Sequence, residues 1–463
     1  MDVTRRPVVI ASNRGPLGYR EEDGRLVAHR GGGGLISGLT PLMDDGRVTW
    51  ISAALSDADR RAAEQGIPES TAQPVHLLDI EPEDFDHYYD AIANQTLWFV
   101  HHGLFDLTRE PELDHGWWTS WDAYRRVNHR FAAAVVEHAP ADSVVLVQDY
   151  HLTLLAPVVR DARDDLTLVH FHHTPFAGPD GLRILPDGPR AEMLDALAAH
   201  HACGFHTPVW AGNYAEVQRR WGGRPEHDRA HVFDATLNSD LDELRRIATS
   251  AECEAALADI DRLVGDRRLV VRVDRMELSK NIVRSFHAFD RLLERRSDWH
   301  RRVTFVACCY PSRLGVPAYA RYRDEVVAAA AEVNRRWGDD TWRPIELLTD
   351  DDYPRSIAAL RRYDVLVVNP IRDGLNLVAK EGPMLNERDG QLVLSSEAGA
   401  WTELEGADDV SPFDVEGTAD ALAAALDRGD GERSDRARQL RRSASARTPR
   451  DWLDDQLAAA SRS

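Results

Sequence analysis

The chain has 463 residues, more than one ordinary hydrophobic core organises, so two domains are expected. Hydrophobic residues make up 43%, enough for large cores, and no run of about eighteen apolar residues is present to cross a membrane. The formal net charge of −21 repels nucleic-acid phosphate and anionic lipid, so neither is an expected partner, and any bound phosphate must meet a local basic pocket. The first ten residues lack the apolar stretch of a signal peptide. Cys203, Cys253, Cys308 and Cys309 form no C-x-x-C pair, which argues for reduced, buried thiols in a cytoplasmic protein rather than a disulfide framework or a zinc site.

Strands and helices alternate along the chain. Val8–Ser12 reads as the first strand, followed by Val48–Ser52, Val144–Gln148 and Thr167–His172. After the polar stretch Asn238–Arg267 the theme repeats with Leu269–Val273, Val303–Cys308, Ile345–Leu348, Val365–Asn369 and Leu392–Leu394. These short Val/Leu/Ile runs without strict alternation suit parallel strands covered on both faces. Ile282, Phe286, Phe289 and Leu293 share one helical face. Tyr322, Val326, Ala329, Val333 and Trp337 share another, with Gly338 as the stop. Two βα series predict two doubly wound domains facing a cleft. Trp452, Leu453, Leu457 and Ala460 predict a closing amphipathic helix.

The polar motifs sit where such strands end. Ala11-Ser12-Asn13-Arg14-Gly15-Pro16 follows the first strand and puts a guanidinium at its carboxyl end. Gly31–Gly34 runs into the apolar Leu35-Ile36 and could bring backbone N–H groups to an anion, although it is neither a Walker loop nor a dinucleotide fingerprint. Gln148-Asp149-Tyr150-His151 and His170-Phe171-His172-His173 follow two further strands. No carboxylate cluster accompanies these histidines, so a hydrogen-bonding His173 near Asp149 is the more economical reading, and no metal is expected. In Arg272-Val273-Asp274-Arg275-Met276-Glu277-Leu278-Ser279-Lys280-Asn281, Arg275 and Lys280 flank a turn into a helix and could both reach a diphosphate. Only two of the chain's 56 basic residues are lysines, Lys280 and Lys380, and both lie in such motifs. Finally Arg372-Asp373-Gly374-Leu375-Asn376-Leu377-Val378-Ala379-Lys380-Glu381 follows an apolar strand. Gly374 would permit a turn close to a ligand, a helix would begin over Leu375–Lys380, and Asp373 and Glu381 would accept sugar hydroxyls.

With these residues in place, the chain resembles the trehalose-6-phosphate synthase family of retaining glycosyltransferases over roughly Val8 to Leu457, with the motifs in family order. The resemblance implies the GT-B architecture: an N-terminal Rossmann-like acceptor domain (1–236), a C-terminal nucleotide-sugar domain (237–446) and a returning helix (447–463). It also implies roles. Arg14 and Arg313, the latter in Pro311-Ser312-Arg313, would grip the acceptor phosphate. Tyr89 and Trp98 would line the acceptor pocket, and Asp149 would contact its sugar. Gly34 would approach the donor phosphates and His173 would bond the donor sugar. Arg275 and Lys280 would hold the leaving diphosphate. Asp373, with the backbone of Gly374, Leu375, Asn376 and Leu377, would bind the donor sugar, and Glu381 the nucleotide ribose. Asp149, His173, Arg275, Lys280 and Asp373 would form the catalytic set. The implied donor is UDP- or GDP-glucose and the implied acceptor glucose 6-phosphate, with no cofactor. A homo-oligomer is left open. No phosphatase-like segment follows, so the product is expected to leave phosphorylated.

Some positions depart from the family pattern. Met276-Glu277-Leu278-Ser279-Lys280-Asn281 stands where many members have Leu-Asp-Tyr-Ile-Lys-Gly, though the Arg-to-Lys spacing is kept. Asp234-Ala235-Thr236-Leu237-Asn238 replaces Pro-Leu-Gly-Val-Asp at the domain junction, and Trp210–His231 is shortened. Two alternatives stand beside the leading reading: a relative that transfers an unusual sugar or a cyclitol, and a non-catalytic sugar-phosphate sensor. Retention of Arg275, Lys280 and Asp373 weighs against the sensor.

Overall fold

The computed structural model describes residues 6–30, 39, 48–67 and 74–461. Its contacts divide into two compact units. One comprises the described residues up to Leu237 together with those from Pro449, and the other runs Asn238–Thr448.

The first unit is built on β1 (Val8–Ala11), β4 (Val48–Ala53), β5 (Val75–Leu78), β6 (Val144–Gln148), β7 (Thr167–His172), β8 (Ala202–Phe205) and β9 (His231–Asp234). An antiparallel hairpin of β2 (Leu17–Glu22) and β3 (Arg25–Arg30) lies outside that sheet. The seven strands are all parallel and run β5-β4-β1-β6-β7-β8-β9. The second unit holds β10 (Arg268–Met276), β11 (Val303–Pro311), β12 (Ile345–Leu348), β13 (Val365–Val368), β14 (Gln391–Ser395) and β15 (Asp408–Val410). They too are all parallel, in the order β12-β11-β10-β13-β14-β15. With the hairpin set aside, both units wind outward through three strands and then return to the other side of the first, which is the Rossmann order. The order reverses between β1 and β6 in one unit and between β10 and β13 in the other.

The apolar runs form strands because both faces are covered. Every residue of β1, β6, β13 and β14 is buried. In the second unit the helix Ile282–Arg295 lays Ile282, Phe286, Phe289 and Leu293 onto the core, as its spacing predicts. The helix Pro317–Trp337 stops at Gly338, where a Cβ would come within 2.5 Å of the Asn334 carbonyl oxygen. The polar stretch from Asn238 is helical. It forms the helices Leu241–Ala248 and Ala251–Val264, capped by Asp240 and Ser250 side chains, and belongs to the second unit. Several strands were not legible. β8 contains Gly204, where a Cβ would lie 2.4 Å from the Phe233 ring and 2.6 Å from that of Phe171, so the close packing of aromatic rings from β7 and β9 requires a residue of low β propensity there. β15 is a three-residue strand with two aspartates at its start.

The terminal helix Pro449–Ala459 joins the first unit. Trp452 and Leu453 are fully buried, and the Trp452 ring meets Phe171 edge-on at 5.1 Å between centroids.

The interior of this unit also holds an unusual number of imidazoles. His101, His170, His172 and His200 are buried, and neither ring nitrogen of His170 has a hydrogen-bond partner. Burial pushes their pKa values down, to about 3 for His101, to about 4 for His200, and well below the ordinary value for His170 and His172. The folded protein therefore keeps these rings neutral, while the unfolded chain protonates them below about pH 6.5. Their contribution to stability is complete above that pH and is lost as pH falls toward the folded values, at up to about 1.4 kcal/mol per pH unit per ring. The melting temperature is expected to drop steadily from about pH 6.5 to pH 4.5, and the drop should be shallower in His170→Phe. A flat profile in calorimetry would contradict the neutral-core assignment.

Candidate active site

In open parallel sheets, ligands bind beyond the carboxyl ends of the strands where the order reverses, because the flanking crossovers run to opposite sides and leave a crevice there. Each unit places its motif residues at that point.

In the first unit the chain leaves β1 through Ser12-Asn13-Arg14. The Ser12 hydroxyl accepts from Trp50 Nε1 at 2.8 Å and donates to the Arg14 carbonyl at 2.7 Å, while Asn13 Oδ1 accepts from the Tyr88 hydroxyl at 3.1 Å. These bonds fix the backbone and leave the Arg14 side chain exposed, its Nη2 donating to the Tyr89 hydroxyl at 3.3 Å. Tyr89 lies on a π-helix, His87–Leu97, which continues as the short α-helix Trp98–His102. In an α-helix of 3.6 residues per turn, positions nine apart face opposite ways. The wider winding brings them to about two turns and onto one side. Tyr89 accordingly stacks on His151 at 5.8 Å and Trp98 meets Tyr150 at 5.9 Å, so both rings reach the same turn after β6. Spacing alone carried no sign of this helix.

That turn starts at Asp149, which holds a left-handed φ of 69°. With ψ 173° this is a region that is essentially glycine's; for aspartate it costs of order 1–3 kcal/mol and is sustained by its surroundings. Its N–H donates to the Phe171 carbonyl at 2.7 Å, and its carboxylate receives the His173 N–H at 3.1 Å. The His173 ring bonds Gln148 Oε1 through Nε2 at 2.9 Å and His206 Nε2 through Nδ1 at 3.2 Å. Burial lowers its pKa to about 3, so the ring is a neutral hydrogen-bonding group. Both its nitrogens are committed to protein partners, and a sugar bonded by this ring would replace one of them. Arg14, Tyr89, Trp98, Asp149 and His173 thus gather around the β1/β6 reversal. Gly34 lies outside the described residues.

In the second unit β10 pairs with β11 as far as Met276 opposite Pro311, which carries Ser312-Arg313 alongside the turn after β10. The fully buried Glu277 carboxylate collects three groups there. Arg275 Nη1 lies 2.9 Å from Oε1, Arg313 Nη1 at 3.9 Å and the Ser312 hydroxyl at 3.3 Å. Arg313 also donates to the Tyr319 hydroxyl at 3.0 Å and has a left-handed φ of 51°. Lys280 ends the 3₁₀ turn Leu278–Lys280 and donates to Asp373 Oδ2 at 2.5 Å, joining the turn after β10 to the turn after β13. Burial opposes its charge, but the carboxylates of Asp373, Asp274 and Glu277 outweigh that effect and hold its pKa above the ordinary lysine value. Lys280 therefore stays cationic throughout the neutral range.

Asp373 also accepts from Asn376 Nδ2 at 3.1 Å and from the Leu375 N–H at 3.4 Å. The segment from Glu397 clamps this turn: the Asp373 N–H donates to the Glu397 carbonyl at 3.0 Å, and the Gly399 N–H to the Asp373 carbonyl at 3.1 Å. A Cβ at Gly399 would lie 2.0 Å from the Gly374 carbonyl oxygen, so only glycine allows this approach. The helix expected from Leu375 begins instead at Val378. Asn376 takes φ 76°, which breaks the helical path, and its Oδ1 caps the Ala379 N–H at 3.2 Å. Glu381 sits in the first turn, where it accepts from the Ser239 hydroxyl at 2.6 Å. Burial raises its pKa against that bond. The other lysine has a different place: Lys380 is buried, 2.7 Å from Glu403, where it ties this helix to the 3₁₀ segment Gly399–Glu403. Arg275, Lys280, Arg313, Asp373, Gly374, Leu375, Asn376, Leu377 and Glu381 all belong to this unit.

Asn281, where many family members have glycine, adopts a left-handed φ of 62° and donates through Nδ2 to the Asn369 carbonyl at 2.9 Å and the Pro412 carbonyl at 2.7 Å. Both glycine and alanine here lose the side-chain bonds, but only alanine keeps the steric strain. Asn281→Ala is expected to unfold at lower denaturant than Asn281→Gly, by about 1 kcal/mol. Equal stabilities would refute the left-handed assignment.

The family model described as glycosyltransferase family 20 matches residues 6–462. A trehalose-6-phosphate synthase from Mycobacterium sp. (strain KMS) is 32% identical over 96% of this chain and 93% of its own length. A bifunctional trehalose-6-phosphate synthase/phosphatase from Thermoproteus tenax is 31% identical over 88% of this chain, which spans 56% of that relative. Among solved structures, an α,α-trehalose-phosphate synthase (UDP-forming) from Burkholderia xenovorans in complex with glucose 6-phosphate superposes with a TM-score of 0.84 at 26% identity, covering 98% of this chain and 100% of the other.

Proposed function

The chain belongs to glycosyltransferase family 20, and from that premise we propose that it makes α,α-trehalose 6-phosphate from a nucleoside-diphospho-glucose and glucose 6-phosphate with retention at the donor anomeric carbon. The observation that carries this reading is the Lys280–Asp373 pair, 2.5 Å apart at the strand-order reversal of the second unit. It sets a fixed cation against a carboxylate suited to sugar hydroxyls, in a chain whose relatives are named for this reaction.

The chemistry follows from charge. Breaking the bond between the anomeric carbon and the diphosphate builds positive charge on the sugar and negative charge on the leaving group. Lys280 and Arg275 neutralise the latter, and because they are already held in place by Asp373 and Glu277 they need little reorganisation as that charge appears. Asp373 and the backbone of Gly374–Leu377 hold the donor sugar, and Glu381 accepts from the ribose. His173 reaches the donor sugar by exchanging one of its ring partners. Arg14 and Arg313 take the acceptor phosphate in charge-assisted bonds. Tyr89, Trp98 and Asp149 orient the acceptor sugar so that its hydroxyl meets the donor on the face the diphosphate leaves. The buried, unpaired cysteines support a reducing, cytoplasmic setting.

Incubation with glucose 6-phosphate and either UDP-glucose or GDP-glucose is expected to yield a product whose NMR couplings are those of the α,α linkage. Absence of product with both donors would refute the proposal. Lys280→Ala is expected to lower kcat by about a hundredfold or more, because it removes charge stabilisation made in the transition state. Arg14→Ala is expected instead to raise the KM for glucose 6-phosphate while leaving that for the donor near wild type. An unchanged kcat in the first variant, or an unchanged acceptor KM in the second, would reject the respective role.

A further inference from the structure

Arg272, four residues before Met276 on β10, has a side chain with no solvent exposure. Burying a guanidinium is costly unless each face of its fork finds a partner. Here it finds three. Nε lies 2.9 Å from the Asp274 carboxylate, Nη1 donates to Asn369 Oδ1, and Nη2 donates to the Lys280 carbonyl oxygen. These partners are spread over both sides of the strand-order reversal. Lys280 ends the turn after β10, and Asn369 starts the turn after β13 that leads to Asp373. Two further bonds run the same way: Asn281 Nδ2 to the Asn369 carbonyl at 2.9 Å, and the Ile371 N–H to the Ser279 carbonyl at 2.8 Å. β10 and β13 themselves pair only at Val270–Val365 and Val271–Leu366, so the sheet ladder does not fix the spacing of the two turns beyond them.

We propose that Arg272 is a positioning residue for the donor diphosphate. Through its contacts with Lys280 and Asn369 it sets the distance between the turn that carries Lys280 and the turn that carries Asp373. The inference rests on the reading of Lys280 and Asp373 as donor ligands. It explains why an arginine is needed: the planar fork directs Nη1 and Nη2 to two acceptors at fixed angles while Nε rests in an ion pair with Asp274, whereas a lysine brings one nitrogen. It also separates Arg272 from a simple counter-ion. If its only task were to offset the Asp274 charge, removing both charges together would cost the donor site nothing.

Three proteins test this: Arg272→Lys, the double variant Arg272→Met/Asp274→Asn, and Lys280→Ala, each checked for a cooperative melt. The probe is UDP or GDP, whichever the wild-type enzyme binds, titrated by calorimetry alongside steady-state kinetics. Both Arg272 variants are expected to weaken nucleoside-diphosphate binding and raise the donor KM by about tenfold or more, with the KM for glucose 6-phosphate within about twofold of wild type. Wild-type nucleotide affinity in the double variant overturns the proposal and leaves Arg272 a counter-ion. Equal losses for both substrates overturn it as well, in favour of general structural support. Should the double variant not fold, Asn369→Ser removes the Nη1 acceptor, keeps both charges and carries the same expectation. Lys280→Ala separates the two levels. Undiminished nucleotide binding and turnover there sinks the donor-site reading itself, whereas a loss there with intact Arg272 variants sinks this inference alone.

Discussion

A parallel sheet cannot be wound indefinitely in one direction, and where this chain turns back it leaves a crevice that no crossover covers. Both units obey this constraint. One opens between β1 and β6 and the other between β10 and β13. The consequence is that residues far apart in sequence meet at strand ends. Arg14 reaches Tyr89 across 75 positions, and Lys280 reaches Asp373 across 93. Backbone N–H groups and side chains there face outward from a rigid sheet, which is the cheapest way to hold polar groups still.

The electrostatic organisation depends on that rigidity. A chain with net charge −21 is a poor host for anions unless cations are gathered locally. Glu277 does part of that gathering. It is buried beside Arg275 at the end of β10 and Arg313 just past β11, so one carboxylate draws two guanidiniums to the same place. Asp373 does the same for Lys280. A carboxylate beside each cation offsets its charge and fixes its position. In the first unit the corresponding work falls to neutral groups. His173, Gln148 and His206 form a hydrogen-bonded chain, and burial keeps the His173 ring neutral. Gln456 extends the chain from the terminal helix to Gln148 at 3.5 Å.

The motifs legible in the sequence share a physical cause with the fold. Short Val/Leu/Ile runs are buried on both faces, so their polar continuations must emerge at strand ends. That is why Arg14, Asp149, Arg275, Lys280 and Asp373 could be picked out from position and chemistry. The helix from Ile282 and the one ending in the terminal segment were readable because their apolar stripes answer to a single period. Family 20 membership then follows from the order of these motifs along nearly the whole chain.

Other features depend on partners distant in sequence and left no local signal. β8 is held between β7 and β9, with Phe171 and Phe233 closing over Gly204. The π-helix that turns Tyr89 and Trp98 to one side differs from an α-helix only in hydrogen-bond register, which side-chain spacing does not encode. The late start of the helix at Val378 follows from the left-handed Asn376 and the clamp at Gly399. In sequence Arg272 is one more basic residue in a charged segment; its two acceptors and its ion-pair partner come from three places in the chain. Sequence by itself determined nine apolar strand runs, three amphipathic helix faces and the identity of the charged groups at strand ends, since each of those is set by residues within a few positions of one another. Tertiary structure alone decided which charges pair, which backbone angles are left-handed and how the two turns at each reversal are spaced, because those depend on the burial of groups that only folding brings together.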